Sequence, residues 1–328
     1  MVKIAVIGAG LSGLTIAHYL REHADVVVFE KARGVGGRMS TRRADSFTFD
    51  HGAQYFTART KAFQTFLRPA LEMGIVQRWD ARYVKFKNTQ IIEQYDWSQG
   101  EPRYVAVPGM NALAKHLASD LNTHVSSRIC ELHFDQTWAL ESESGQCYAG
   151  FDWVISTAPS PQTMRLFPKQ FAHYNQLSKV QMTPCIALML GFESALKLDF
   201  QAAHVTDSII SWIAINSHKP GRPNPFTLLV HSSEEFAANF IDRPSDEVLP
   251  LMTAEVSRLL DQDISSAPHK TLHPWRYANN KTASGLPHLI DPIHQLIACG
   301  DWCHGGRVEG AFTAALDVVQ KLKRSLDE

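Results

Sequence analysis

Hydrophobic positions along this chain change period several times, and each change marks an element. The opening stretch KIAVIGAGLSGLTIAHYL starts as a short continuous apolar run, breaks at glycines, and resumes with apolar residues at helical spacing. That order predicts a strand, a tight turn and a helix. DVVVFE predicts a second strand, and Thr60 to Gly74 sets Phe63, Phe66, Leu67 and Leu71 on one helical stripe. RYVKFKN and QIIEQYDW alternate as a hairpin does. VPGMNALAKHLASDL reads as a turn and a helix, followed by strands in HVSSRICELHF, WALESE and CYAGFDWVISTAP. From about Pro161 the pattern turns β-rich in TPCIALMLGFE, SIISWIAIN and FTLLVHSS, with HKPGRPNP as an intervening loop. A helix from Ser245 to Leu260 and a strand in TLHPWRYAN come next. The segment QLIACGDWCHGGRVEGAFTAALDVVQKL then gives a strand ending at Gly300-Asp301 and a helix beginning near Gly310.

The glycines of the first turn carry the first chemistry. Gly8 permits the turn, Gly10 lets the backbone approach a pyrophosphate, and Gly13 lets the helix pack on the strand, while the helix N-terminus offers N–H groups to the anion. Ser12 shares that turn. Glu30 ends the second strand about 20 residues on, where a carboxylate can accept from ribose hydroxyls. Directly after it stand Lys31 and then Gly36-Gly37-Arg38. A second segment of low bulk with a fixed cation suits an extended FAD, whose phosphate or flavin oxygens a guanidinium can bond in bidentate fashion. Farther on, FDHGAQYFT supplies Gly52, Ala53, Gln54 and Tyr55. Asp301 is placed to bond the ribityl or phosphate region, and the helix after it turns its positive end toward the flavin N1/C2 oxygen locus.

Composition narrows the classes. With 328 residues, 45% of them hydrophobic, the chain is long enough for two domains with their own cores. A formal net charge of −1 suggests neither nucleic acid nor an anionic membrane as a bulk partner. Met1 leads straight into the first strand and no apolar run reaches the roughly 18 residues of a span, so the expectation is a cytoplasmic protein. Five scattered cysteines argue against a disulfide framework. The 15 histidines show no ligand spacing, and no metal is expected. A single nucleotide-type glycine turn means that a nicotinamide reductant would enter through the substrate pocket.

The run G-x-G-x-x-G-L, the acid after the second strand and G-G-R together resemble the FAD fingerprint of the amine oxidase, phytoene desaturase and Rab GDP-dissociation inhibitor superfamily. KARGVGGRMSTRR, DHGAQYFTAR, VPGMNAL, SHKPGR, HPWRYA and CGDWCHGGRVEGA resemble the renalase family more closely, over nearly the whole chain. Most renalase-like chains have a Ser-Gly pair where this one has Ala314-Ala315. The resemblance implies an α/β fold: a Rossmann-type FAD-binding domain from residues 1–60, 104–165 and 291–328, and a largely antiparallel β substrate domain from residues 61–103 and 166–290. This is the architecture of amine oxidases and p-hydroxybenzoate hydroxylase. It further implies oxidation of 2- and 6-dihydro-NAD(P) isomers, with hydride passing to flavin N5 and O2 reduced to hydrogen peroxide.

By position it sets Tyr55, His231 and Trp275 on the pocket wall, with Cys185 and Arg307 close to the substrate ring. Cofactor contacts extend to Gly52, Ala53, Gln54 and Tyr55 beside the flavin ring, to Ile129 at the adenine and to Val308. No cysteine lies in a recognised flavinylation motif, so FAD is expected to be non-covalent, with Cys303 the one candidate against it. Partners are a small dihydronicotinamide and O2, with no nucleic acid, membrane or obligate protein partner expected. An FAD-dependent amine oxidase and a flavin-free binding module are the alternatives. Intact Glu30 and Arg38 argue against the second.

Overall fold

The structure is a computed structural model that describes residues 1–223 and 225–326. The chain splits into two compact units: Met1–Met39, Asn111–Met182 and Asn279–Glu328 form the first, and Ser40–Met110 with Thr183–Ala278 the second. These bounds differ from the expected segments at four places. Residues 40–60 and 104–110 fall in the second unit, and residues 166–182 and 279–290 in the first.

The first unit is built on a sheet in the order Leu289–Asp291, Leu296–Ala298, Trp153–Ser156, Lys3–Ile7, Asp25–Phe29 and Asn122–His124. Every pairing is parallel except the first, where Leu289–Asp291 runs against Leu296–Ala298. Parallel strands are covered on both faces and therefore read as unbroken apolar runs. Ile4, Ala5 and Val6 are fully buried accordingly. The helix Leu11–Leu20 follows the first strand and buries Leu11, Leu14, Ile16, Ala17 and Leu20. An antiparallel sheet of Ile129–Asp135, Thr137–Ser142 and Cys147–Phe151 completes this unit's strands.

The last helix is Arg307–Leu326 and starts ahead of the expected Gly310. Its apolar stripe begins at Phe312, so periodicity alone sets the start late. Gly305, Gly306 and Arg307 take φ of +73°, +89° and +71°, a left-handed turn that launches the helix early. The short helices Ser160–Leu166, Tyr174–Lys179 and Glu234–Phe240 and the strand Ala202–Thr206 were not foreseen. Each is too brief for a period to emerge.

The second unit holds a sheet in the order His269–Asn280, Met182–Phe192, Phe226–Ser232, Ile210–Ile215, Ala202–Thr206, Arg82–Lys87 and Gln90–Asp96. It is largely antiparallel; Ala202–Thr206 and Arg82–Lys87 run parallel. Strand alternation sorts its two faces. Ile186, Leu188, Leu190, Leu228 and Val230 share a core with Val248, Met252, Val256 and Leu259 of the helix Ser245–Leu260. Met189 and Leu229 lie on the opposite face with Phe47 and Phe49. By the same parity, Cys185 and His231 belong to that second face. No helix among the described residues is long and apolar enough to cross a membrane.

Gly191 shows how closely Phe47 approaches that face: a Cβ there would stand 2.6 Å from the Phe47 ring. Gly191→Ala is expected to lose about 1–3 kcal/mol of stability, the usual cost of overpacking. A urea midpoint equal to wild type would show that the ring yields freely.

Candidate functional site

In the first unit the glycine turn is a cradle shaped by absent side chains. Gly8 takes φ +107°, and a Cβ on Gly13 would meet the Gly8 carbonyl at 2.0 Å, so strand and helix touch through backbone. Gly10 differs: nothing lies within 4 Å of where its Cβ would point. It is also the N-cap of Leu11–Leu20, with no side-chain cap and no acid in the first turn, so the helix N-terminus faces that open space. Uncapped N–H groups and a positive dipole end suit a phosphate. Gly37, at φ +55°, packs against the turn, since its Cβ would sit 3.3 Å from Gly10 Cα. The G-x-G-x-x-G and G-G-R stretches thus form one surface. These residues fit a dinucleotide.

Glu30 is buried and already works as a brace. Its Oε2 accepts from Ala9 N at 2.9 Å and its Oε1 from Ala32 N at 2.8 Å. Each carboxylate oxygen retains a lone pair for a ribose hydroxyl. Ser127 N donates to Glu30 O at 2.8 Å, which brings the chain leading to Ile129 past the end of this strand. Ser12 Oγ donates to Ala311 O in the last helix, and Lys31 Nζ reaches Gln162 Oε1 at 3.3 Å. Arg38 and Asp301, each expected at the cofactor, also pair with one another through both carboxylate oxygens. Val308 lies in the first turn of Arg307–Leu326, and Arg307 is exposed. Cys303 is buried, and burial pushes its thiol up to about 12.

The second unit is organised by a buried carboxylate. Asp50 Oδ2 accepts from Arg222 Nη2 at 2.6 Å, from Arg222 Nε at 3.0 Å and from Lys219 Nζ at 3.4 Å. Its Oδ1 accepts from Thr41 Oγ1 and Met110 N. Burial alone would raise this carboxyl, but Lys219, then Arg222, and the two donors hold it below the usual range. Burial lowers Lys219 to about 8 against the opposing pull of Asp50. Gln54 closes the network: its Nε2 donates to Asp50 O and Gly52 O, and its Oε1 accepts from Lys219. The amide of Gln54, expected at the cofactor, is therefore engaged at both ends inside this unit, where Gly52 and Ala53 also lie.

The residue after Asp50 is the hub of an aromatic cluster. His51 O accepts from Trp275 Nε1 at 2.8 Å, and His231 Nε2 lies 3.4 Å from the same oxygen. The Trp275 ring stacks on His51 at 5.2 Å, and His273 sits edge-on to both, at 4.8 Å and 4.5 Å. Burial, with His273 and Arg42 adding to it, pushes His51 down to about 3. Burial and then Arg42 bring His273 to about 4, and burial brings His231 to about 4. All three imidazoles are neutral at physiological pH.

His231 and Trp275 are thus brought together, on a histidine carbonyl that sequence reasoning did not single out. Tyr55 packs instead with Trp97 and Trp212, at 5.0 Å and 5.8 Å. Trp212 sits opposite His231 in the strand register, which links the two groups. Cys185 is buried near Ser232 O, with its thiol raised by burial to about 12. Arg307 belongs to the other unit. His51, His273, Asp50, Lys219 and Arg222 were missed as site residues, although DHGAQYF, HPWRYA and SHKPGR contain them. The available signal was charge inside otherwise apolar or glycine-bordered segments.

The NAD(P)-binding Rossmann-like domain family matches residues 6–69, and the flavin containing amine oxidoreductase family matches residues 84–323. The mouse prenylcysteine oxidase 1-like protein is 34% identical over 102 residues, 29% of this chain and 20% of that protein. A 4,4'-diapophytoene desaturase of Staphylococcus aureus strain Newman is 51% identical over 51 residues, 15% of this chain and 10% of the enzyme. The chain therefore covers a fifth or less of either relative's length. Among solved structures, a candidate protoporphyrinogen oxidase of Exiguobacterium sp. 255-15 aligns over 99% of both chains with a TM-score of 0.80 at 10% identity. Wild-type putrescine oxidase bound to putrescine aligns over 98% of this chain and 99% of its own, with a TM-score of 0.72 at 11% identity. At such identities the likeness is one of fold.

Gly10→Ala and Gly13→Ala are expected to separate binding from folding. A methyl at Gly10 meets no protein atom, so the variant should melt like the wild-type apoprotein yet retain FAD at least about tenfold less tightly. Gly13→Ala drives a methyl into backbone and should fail to fold; normal melting of that variant would contradict the packing described. Stability should also fall as pH drops from about 6.5 toward 4. In that window unfolded histidines bind protons while buried His51, His231 and His273 do not, so the unfolded state gains. The check is a series of melting temperatures against pH, in which His231→Gln should flatten the slope.

Proposed function

We propose that this chain, which belongs to the flavin containing amine oxidoreductase family, oxidises stray dihydronicotinamides, the isomers of NAD(P)H that carry their hydride at ring C2 or C6. Its cofactor is FAD, and it is an FAD-dependent oxidoreductase. FAD, when bound, supplies hydride acceptance at N5 and reoxidation by O2 to hydrogen peroxide. The first unit holds it non-covalently: the uncapped helix at Gly10 and Arg38 serve the phosphates, and Glu30 the ribose.

The observation that carries the substrate reading is the cluster of Trp275, His231, His51 and His273, an indole among imidazoles held neutral by burial. A dihydropyridine that loses hydride gains aromaticity and has no proton to surrender. A site for it has only to stack the ring, orient it and exclude water. Trp275 and His231 serve as wall, their positions set by the shared carbonyl of His51. Tyr55, on Trp97 and Trp212, extends the wall. The Cys185 thiol stays protonated and offers neither base nor nucleophile. The renalase resemblance in SHKPGR and HPWRYA supports the reading, because those segments hold Lys219, Arg222, His273 and Trp275. Oxidation of an amine is the second reading, favoured by the matched family itself.

Anaerobic mixing with 6-dihydro-NAD is expected to bleach the flavin quickly, and ordinary β-NADH slowly. A hydride at C4 lies outside the near-attack distance of about 3 to 3.5 Å when the ring is seated for C2 or C6. Equal rates would sink the reading in favour of a general NAD(P)H oxidase. Bleaching by putrescine or a monoamine, with none by the isomers, would establish the second reading. His231→Ala should slow reduction by about one to two orders of magnitude through misplacement of the ring. The limiting rate should stay level from about pH 6 to 7.5, where the three imidazoles are neutral throughout. A steep pH dependence that disappears in His231→Ala would establish acid–base chemistry instead.

A further inference from the structure

The neutral cluster around His51 also contains a cation that the roles given so far leave unused. The strand Arg42–Ala44 pairs antiparallel with Phe47–Phe49, placing Arg42 opposite Phe49 and beside the segment that enters His51. Its Nη2 lies 3.5 Å from His273 Nδ1, and His273 in turn touches His51 and Trp275 edge-on. Arg42 is half-buried. The partner described for it is this one neutral imidazole, and among the described residues no carboxylate pairs with it.

Its situation differs from that of the buried or partly buried cations that share a carboxylate. Arg222 and Lys219 share Asp50, and Arg38 has Asp301. A guanidinium drawn partly out of water without an anion costs stability, and its five donors form a fork that matches phosphate oxygens. Asp50, the neighbour of His51 in sequence, is already committed to two cations. Arg42 also bears on its surroundings, adding to the burial that keeps both His273 and His51 unprotonated. A positive potential at an aromatic wall attracts an anion and opposes a protonated amine.

We infer that Arg42 binds a phosphate of the dinucleotide substrate while the nicotinamide ring lies on the neighbouring Trp275 and His231 wall. This rests on the function proposed above and deepens it. A dihydronicotinamide dinucleotide carries a diphosphate beyond the ribose of its ring, and in the phosphorylated form a further phosphate on the adenosine ribose. Arg42 then contributes affinity for the anionic part and none for the reacting ring, so its loss raises KM and spares the limiting rate of reduction.

The test is calorimetric titration of the FAD-loaded protein and its Arg42→Met, Arg42→Gln and Arg42→Lys variants with inorganic pyrophosphate, NAD+, NADP+ and phosphate-free nicotinamide riboside. Melting temperature serves as the folding control. Pyrophosphate and NAD+ should bind about ten- to a hundredfold more weakly to the Met and Gln variants, as expected for loss of a charge-assisted contact. Arg42→Lys should recover most of the affinity, and the riboside should bind all four proteins equally. Equal losses for NAD+ and NADP+ locate the contact at the diphosphate, and a loss confined to NADP+ locates it at the 2'-phosphate. Unchanged phosphate binding in a variant that melts normally would overturn the assignment, as would an equal loss for the riboside. Bleaching of the flavin by 6-dihydro-NAD alongside unchanged phosphate binding would remove Arg42 and leave the function standing. Pyrophosphate binding that needs Arg42, with no bleaching by any isomer, would keep the anion site and remove the function.

Discussion

A carboxylate buried with two cations holds the second unit's candidate site in place. Asp50, Lys219 and Arg222 have side chains essentially closed to solvent. Removing such charges from water is tolerable only when their hydrogen-bonding capacity is filled, and a pair broken on one side typically costs about 3–5 kcal/mol. Here Asp50 takes donors on both oxygens and its own N–H donates to Asn216 Oδ1. The backbone is therefore fixed one residue ahead of His51, whose carbonyl receives Trp275 and faces His231. A packed apolar residue at Asp50 could give equal stability, but it would not fix the direction of that carbonyl.

The first unit solves a different problem, the approach of an anion to bare backbone. At Gly13 the Gly8 carbonyl occupies the space that a Cβ would need, at Gly8 Thr157 Oγ1 does and φ is +107°, and Gly37, at φ +55°, packs on Gly10 Cα, whereas at Gly10 the space is open and the helix end looks into it. Steric exclusion and accessibility are separate requirements that one spacing of glycines meets together. Glu30 joins them, because the carboxylate that can receive a ribose also holds Ala9 N within the turn.

Burial gives the aromatic cluster its chemical character. Histidines are the side chains best suited to move protons near neutral pH, yet desolvation, with Arg42 alongside for His51 and His273, keeps these three uncharged far below that range. The cluster offers flat, polarisable surface with few charges, which suits a ring that gives up hydride. The same conditions make it a poor general base.

Local pattern alone determined a good part of this protein. Continuous apolar runs identified the parallel strands Lys3–Ile7 and Asp25–Phe29, and helical spacing identified the helix Ser245–Leu260 to its ends. The glycine turn, Glu30 and G-G-R were legible because a phosphate cradle is made by residues close in sequence, where spacing is geometry. Arg307 as a helix start was not legible, since a left-handed glycine turn leaves no apolar period. Nor were Asp50 with Lys219 and Arg222, which stand 169 and 172 residues apart in the chain. His51 and Trp275 are farther apart still, at 224 residues. Sequence names the charge or the ring, but its partner and its burial are set by which strands lie side by side, and that the tertiary structure alone decided. Burial then fixed that these histidines stay unprotonated near neutral pH.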